Sequence, residues 1–374
     1  MRLSRADRSR LTDWWFTIDH VLMAAIFVLI GLGCILSLAA SPSVALKKGF
    51  DAYYFVERHL MFSALGAVLV LVLSFMTPRE VRRLSLILMF LALAGLIVVD
   101  LTGAEINGAR RWLSIAGASF QPSELAKPAF VVLSAWLLAE ARMRPDMPAL
   151  PAAIGLWLVL VVLLARQPDV GQTLLASTVW GALFFVSGQP LVYAAALVVL
   201  GVAGLAFAYF NLDYVAARVD RFFDPIPGDR SQADRALQSF TEGGFFGRGP
   251  GEGTIKTVLP DAHTDYIFAV VAEEYGAVAC VAIVILFAFI ALRALHGASR
   301  NPEPSNRLAI IGLAALFGLQ ALLNMGVNVG LLPAKGITLP YLSVGGSSTL
   351  AVSVLLGMLL ALTRRRPIPP AHST

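Results

Sequence analysis

The segment "PDAHTDYIFAVVAEEYGAVACVAIVILFAFIALR", residues 260–293, joins a polar turn to a membrane-length apolar run. Asp265 stands at the mouth of that run, and Glu273 and Glu274 lie about two turns inside it. A spanning helix needs about 20 mostly apolar residues. An ionisable group within one costs a few kcal/mol on insertion scales, so all three carboxylates are candidates for function or for pairing inside a bundle. At 1.5 Å rise per residue the two glutamates lie roughly 12 Å from Asp265. Asp265, at the rim, is therefore the candidate for chemistry. Glu273 and Glu274 are read as structural intramembrane residues, at least one of which holds the span against a polar or basic neighbour.

The rest of the 374-residue chain has the same character, with 57% hydrophobic and 14% charged residues. Soluble domains carry roughly 25% charged residues, so this composition belongs to an integral membrane protein. Apolar stretches of spanning length fall near 19–40, 58–76, 82–101, 122–141, 149–166, 170–187, 190–210, 265–293, 306–332 and 345–363. The expected fold class is all-α, with ten transmembrane helices in a single domain over 1–374. With that count the arginines of the N-terminal tail, of 79–83, 142–144 and 293–307, and of 364–366 all share one side, the cytoplasmic side by the positive-inside rule.

Residues 1–18 are then a cytoplasmic tail ending in an interfacial Trp14-Trp15 pair, and 364–374 a second cytoplasmic tail. Residues 211–264 form a large periplasmic loop between the seventh and eighth spans, expected to be largely irregular and partly mobile. The net charge of +5 is topology signal and calls for no nucleic-acid partner. Cys34 and Cys280 sit in apolar runs as small buried hydrophobes, and no His pair has metal-ligand spacing, so no metal site built from protein side chains is expected.

Unusual polar chemistry gathers in the outer loops. In "NGARRW", Arg110 and Arg111 are either ordinary loop charges or a fork of donors suited to a phosphate or diphosphate. In "QPSELAKPAF", Pro122 suits a helix start, and Glu124 and Lys127 share a face. That pair is either an interfacial ion pair with Lys127 snorkelling outward or part of a site. "GFFGRGPGEG" holds five glycines in ten residues, suited to close backbone approach, without the Lys-Ser/Thr of a phosphate-binding loop. "LPAKGITLPYLSVGGSS" reads as an irregular or re-entrant segment lining a cavity.

These stretches, "NGARRWLSIAGASFQPSELAK", "RQPDVGQT", "LPDAHTDYIFAVVAEEYG" and "NVGLLPAKGITLPYLSVGGSS", resemble in order and spacing the SEDS family of cell-wall polymerases along essentially the whole chain. The form of the last one, with Lys335 after its first proline and Thr338 before its second, is similar to the cell-division branch more than to the elongation branch; Val344 stands where an aromatic is usual.

The resemblance implies a glycosyltransferase that polymerises lipid II into glycan strands at the outer face of the bacterial cytoplasmic (inner) membrane, at the division septum. It also implies a class B penicillin-binding protein (the septal transpeptidase) and divisome regulatory proteins as partners. Carried over by motif, the essential Asp is Asp265. Arg110, Arg111, Glu124, Lys127, His263, Lys335 and Ser347 are the substrate-binding residues. Asp265 would take the proton from the acceptor hydroxyl. Charge on the departing lipid diphosphate would be met by Arg110, Arg111, Lys127 or a bound divalent cation (Mg or Mn). The competing readings are a lipid II flippase or other transporter, an elongation-type polymerase, and a recruiting scaffold. A transporter should carry its binding chemistry near the midplane with access from both sides, whereas these cytoplasmic loops are plain.

Overall fold

The computed structural model describes residues 9–106, 109–115, 118–211, 215–217, 220, 232–333 and 336–366. A short helix, α1 (Arg10–Thr17), precedes α2 (His20–Lys47), α3 (Tyr54–Ser74) and α4 (Pro78–Thr102). Three strands follow: β1 (Ala104–Ile106), β2 (Ala109–Ile115) and β3 (Ala118–Phe120). Then come α5 (Pro122–Met143), α6 (Ala149–Arg166), α7 (Val170–Val186), α8 (Leu191–Asn211) and α9 (Gln232–Gly243). The chain closes with α10 (Ile267–Ser299), α11 (Pro304–Asn328) and α12 (Gly346–Thr363).

Helices stand over every apolar range marked in the sequence. Among the described residues seven of them, α2, α3, α4, α6, α10, α11 and α12, are long and apolar enough to cross a membrane. Helix α7 is apolar but only 17 residues long, and α5 is made less apolar by Glu124 and Lys127. The outward faces of α3, α4 and α10 present Val68, Val72, Phe90, Leu91, Ile285 and Leu292. Helices apolar on their outer as well as their inner faces belong in lipid. The chain is a multi-pass membrane protein.

Helix α12 is the most enclosed, 83% of its apolar window being buried, and it packs against α3, α5 and α11. The ends are set by short polar contacts. Asp19 caps α2 through Val21 N and Leu22 N and pairs with Arg293 near the end of α10 at 2.8 Å. Thr77 and Glu80 form a reciprocal capping box at the start of α4, with Pro78 in the first turn where its missing N–H costs nothing.

The structure changes four expectations. The all-α class is amended by an antiparallel meander, β1-β2-β3, formed by the segment after α4; alternating Arg111, Leu113 and Ile115 against Arg110, Trp112 and Ser114 suits a strand. Residues 10–17 are helical, and Trp14 is buried, stacked on Phe75 with its Nε1 donating to Ser74 at 2.8 Å, so only Trp15 is left exposed. The described part of the 211–264 segment is less irregular than expected: α9 and a 3-10 turn at Ile255–Thr257, with the glycine-rich turn between them, pack against α10, α11 and α2. Residues 212–214, 218–219 and 221–231 lie outside the described residues.

The fourth change concerns the opening segment. Helix α10 is broken at Gly276, whose φ of 78° and ψ of 179° leave the helical region. The glycine-rich turn supplies the missing ladder. Arg248 N and Gly249 N donate to Glu273 O and Glu274 O at 2.9 and 3.0 Å, while Ala277 N and Val278 N donate to Gly244 O and Phe245 O at 2.9 and 3.2 Å. A Cβ on Gly276 would collide with Phe245 O, and one on Gly247 with the backbone of Glu274. In "GFFGRGPGEG", Gly247 thus serves the approach of two backbones, while Gly244, Gly249 and Gly251 take positive φ in the turn.

Candidate functional site

The polar residues singled out by sequence gather at the bundle end formed by the start of α5, α10 and α12 and the end of α11. Asp265 is half-buried in a turn ahead of α10 whose backbone closes on Asp261 O. Two carboxamides hold it: Asn324 Nδ2 and Asn328 Nδ2 each donate to Asp265 O at 2.9 Å. Asn324 also donates to Ile337 O at 2.7 Å, and a Cβ on Gly336 would stand 3.8 Å from Asp265 Oδ2. The irregular segment after α11 therefore lies over the aspartate. It is zipped there by Ser343 Oγ donating to Thr264 O at 2.5 Å and Val344 N donating to His263 O at 2.9 Å.

Beside this turn lies a cavity of about 380 Å³ lined by Lys48, Phe55, Arg58, His59, Trp112, Ser119 and His263, with Val344–Gly346. The His263 ring packs on Phe55 at 4.8 Å, and its Nδ1 is buried without a hydrogen-bond partner. Burial, with help from the Lys48 charge and opposed by Asp261, holds its pKa down at about 4. His263 is thus neutral at pH 7 and offers one donor and one acceptor. The His59 ring, in α3, is also buried, facing the Tyr341 backbone without a well-aligned hydrogen bond. Lys48 and Arg58 give this cavity two cations.

Glu124 and Lys127 are each 4% exposed and form an interior pair, Nζ to Oε1, at 2.9 Å. The reading of Lys127 snorkelling outward is excluded by that burial. Gln172 Nε2 donates to Glu124 Oε1 at 2.7 Å, Lys127 donates to Gln320 Oε1 at 3.2 Å, and Gln320 Nε2 reaches Thr338 O at 3.1 Å. Glu124 Oε2 is left buried without a hydrogen bond. Gln320, Asn324 and Asn328 recur every four residues, forming one polar stripe on α11 that ties the buried pair, the 337–338 backbone and Asp265 together.

The two arginines part company, because neighbours on a strand point to opposite faces. Arg111 turns inward, donating to Gln167 O at 3.1 Å and to Pro168 O, with Asp169 3.9 Å away. Burial pushes the Asp169 carboxyl above the usual carboxylate range, with Arg111 opposing. Arg110 faces out, exposed. They do not form one fork for a single diphosphate. Ser347 bridges Gln121 N and Ser119 O, each at 3.2 Å, and so joins β3, α5 and α12. Lys335 lies outside the described residues.

Glu273 and Glu274 are fully buried, and the loop rather than the bundle answers them. Glu273 accepts from Thr254 N, Ile255 N and Lys256 N at 2.6, 2.8 and 3.2 Å, while Glu274 accepts from Gly251 N at 3.0 Å and pairs with Lys256 Nζ. Lys256 also reaches Ala39 O of α2 at 3.1 Å. Lys48, Arg58, His59 and Lys256 carry no local sequence signal beyond being polar near helix ends. The α11 carboxamide stripe had one, its four-residue spacing in an apolar helix.

A bundle of apolar helices with a buried polar network, an anchored aspartate and a cationic cavity beside it defines a polytopic membrane protein built around a polar site. The chain belongs to the FtsW/RodA/SpoVE family of cell cycle proteins, whose family model matches residues 20–367. It is 42% identical over 97% of its length, and 94% of the relative's, to a probable peptidoglycan glycosyltransferase FtsW of Caulobacter vibrioides. It is 33% identical to one from Saccharophagus degradans, with 91% of each chain covered. Among solved structures it is similar to a chain of a peptidoglycan synthase complex that coordinates polymerization and crosslinking, with TM-score 0.76, 31% identity, and 92% of this chain and 97% of that one covered. The rod shape determining protein RodA of Thermus thermophilus matches with TM-score 0.68 and 30% identity, over 94% of this chain and 99% of its own.

Proposed function

We propose that the chain is a peptidoglycan glycosyltransferase of the cell-division type, polymerising lipid II into septal glycan strands. Its relatives bear that name across nearly their whole length. The arrangement is ten membrane crossings with both termini cytoplasmic and the 211–264 segment periplasmic, in the inner membrane at the septum. The observation that carries the site assignment is the anchoring of Asp265 by two carboxamides, two residues from His263 in a cavity that also holds Lys48 and Arg58.

The chemistry follows from those groups. The Asp265 carboxylate takes the proton from the acceptor sugar hydroxyl as that oxygen attacks the anomeric carbon of the donor. The anomeric C–O bond breaks with inversion, and the electron pair leaves on the lipid diphosphate. A diphosphate departs without a proton, so it needs positive charge in a poorly hydrated site. Lys48 and Arg58 supply it, with His263 as a neutral hydrogen-bond partner. Arg111, Glu124 and Lys127 position the walls, and Ser347 the start of α12. Lys335 and Arg110 retain the substrate-binding role the family resemblance gives them.

Among the described residues no three His, Cys, Asp or Glu side chains gather to hold a metal. A divalent cation would take most of its ligands from the diphosphate and water, with Asp265 as a nearby carboxylate that fits. The synthase-complex relative supports a class B penicillin-binding protein as partner at the outer face, and divisome proteins as regulators.

The test is polymerisation of purified lipid II, with and without the cross-linking partner. Asp265→Asn is expected to abolish chain growth while the protein melts as the wild type does. Glycan chains of normal yield from that variant would overturn the assignment.

A further inference from the structure

At the end of the bundle opposite Asp265 lies a second, larger cavity of about 960 Å³. It is enclosed by the start of α4, the last turns of α5, the 301–306 turn ahead of α11 and the residues that follow α12. Arg79, Arg82, Arg364 and Arg366 line it, against two carboxylates, Glu140 and Glu303. Among the described residues none of these arginines forms an ion pair. Instead, Arg82 lies over the Trp136 ring at 5.3 Å. Arg364 donates to Thr17 Oγ1 and Phe75 O at 2.9 and 3.1 Å, and Arg366 to Met76 O at 2.5 Å. Backbone carbonyls at the end of α3 thus fix two guanidiniums in place, with Asp13 facing Arg364 and Glu80 facing Arg366 beyond ion-pair distance. Burial and then the neighbouring Arg364, opposed by Glu80, hold the Arg366 pKa down at about 10, still charged at neutral pH.

Two further features narrow the ligand. Glu140 accepts from Trp136 Nε1 at 3.1 Å through Oε1, but its Oε2 is buried without a hydrogen bond; Arg144 Nε lies 3.4 Å off. The cavity therefore presents an acceptor as well as cations. Its remaining wall, with Val132, Trp136 and Leu362, is apolar and continues into the bundle core. The arginines stand where the apolar stretch of α4 begins and that of α12 ends, which is the level of lipid headgroups.

We propose that this cavity binds the headgroup of an anionic glycerophospholipid from the leaflet opposite Asp265. The phosphate meets the arginines, which recognise its oxygens as planar forks. A headgroup hydroxyl donates to the Glu140 carboxylate, and the first acyl carbons lie against Trp136 and Leu362. A soluble glycerol phosphate shares the polar half of this chemistry and lacks the apolar half.

The full-length protein in nonionic detergent is titrated with dihexanoyl phosphatidylglycerol, with dihexanoyl phosphatidylcholine and with glycerol phosphate, binding being read by calorimetry and by the shift in melting temperature. Phosphatidylglycerol is expected to bind at least about tenfold more tightly than either comparison ligand, the scale of one charge-assisted hydrogen bond. Arg79→Gln/Arg82→Gln is expected to weaken it by a further factor of about ten or more, with lipid-free melting unchanged. Glu140→Gln, which keeps the shape, is expected to weaken phosphatidylglycerol and leave phosphatidylcholine as it was. Equal binding of the two lipids, or binding indifferent to both variants, overturns the proposal. Glycerol phosphate binding as tightly as phosphatidylglycerol assigns the cavity to a soluble phosphate and overturns the lipid.

Discussion

Asn328 grips Asp265 by its backbone: Nδ2 donates to Asp265 O at 2.9 Å while Oδ1 accepts from Ala269 N at 3.0 Å. One buried carboxamide thus spans the turn and the first turn of α10, setting where the Asp265 carboxylate points. Asn328→Leu takes one donor from Asp265 O, which keeps Asn324, and one acceptor from Ala269 N, which keeps Tyr266 O; each lost hydrogen bond costs about 0.5–1.5 kcal/mol. The expected result is a lower melting temperature together with a fall of at least about tenfold in kcat, KM changing far less, since about 1.4 kcal/mol is already a factor of ten. Lipid II polymerisation at varied substrate concentration checks the split. A fall confined to KM would place Asn328 in substrate binding instead.

Gly276→Ala puts a Cβ against Phe245 O at a residue whose φ is 78°. Such a conformation, essentially restricted to glycine, costs an L residue about 1–3 kcal/mol before any collision. The variant is expected to lose the docking of the 243–249 turn, seen as a lower melting temperature and as new protease cleavage after Arg248. Wild-type melting and protease resistance would count against this role for the break.

Lys256→Met strands the buried Glu274 carboxylate. Breaking a buried pair from one side costs about 3–5 kcal/mol, whereas replacing both members removes the uncompensated charge. Lys256→Met/Glu274→Leu should therefore melt higher than Lys256→Met alone, a sign that thermal denaturation in detergent reads directly.

His263 makes the protein sensitive to mild acid. The unfolded chain protonates this ring near 6.5 and the folded one near 4. Between those values the unfolded state binds more protons, so stability rises with pH. The contribution is complete above pH 6.5, is lost as pH falls towards 4, and changes no further below that. His263→Gln is expected to flatten the melting temperature over this window, measured at intervals from pH 4 to 7.

The helices were legible because an apolar run of 20 residues has few fates, and every run marked in the sequence is helical. Asp265, Glu124 and Lys127 stood out because charge at such places is costly. The meander was not legible because its strands are short and lie in a glycine-containing segment between helices. The parting of Arg110 and Arg111 followed from it, since a strand's alternation is invisible until the strand is recognised. Lys48 and Arg58 look like ordinary interfacial cations, and only tertiary packing brings them to His263. The break at Gly276 was hidden because its repair comes from a turn some thirty residues earlier.

That order along the chain has a consequence for biosynthesis. The amides of 251–256 and the Lys256 ammonium precede Glu273 and Glu274, so the ribosome delivers the partners before the carboxylates that need them. Glu273 and Glu274 reach the translocon with their docking surface already synthesised, and α10 can enter the bilayer without either carboxylate waiting for a later segment.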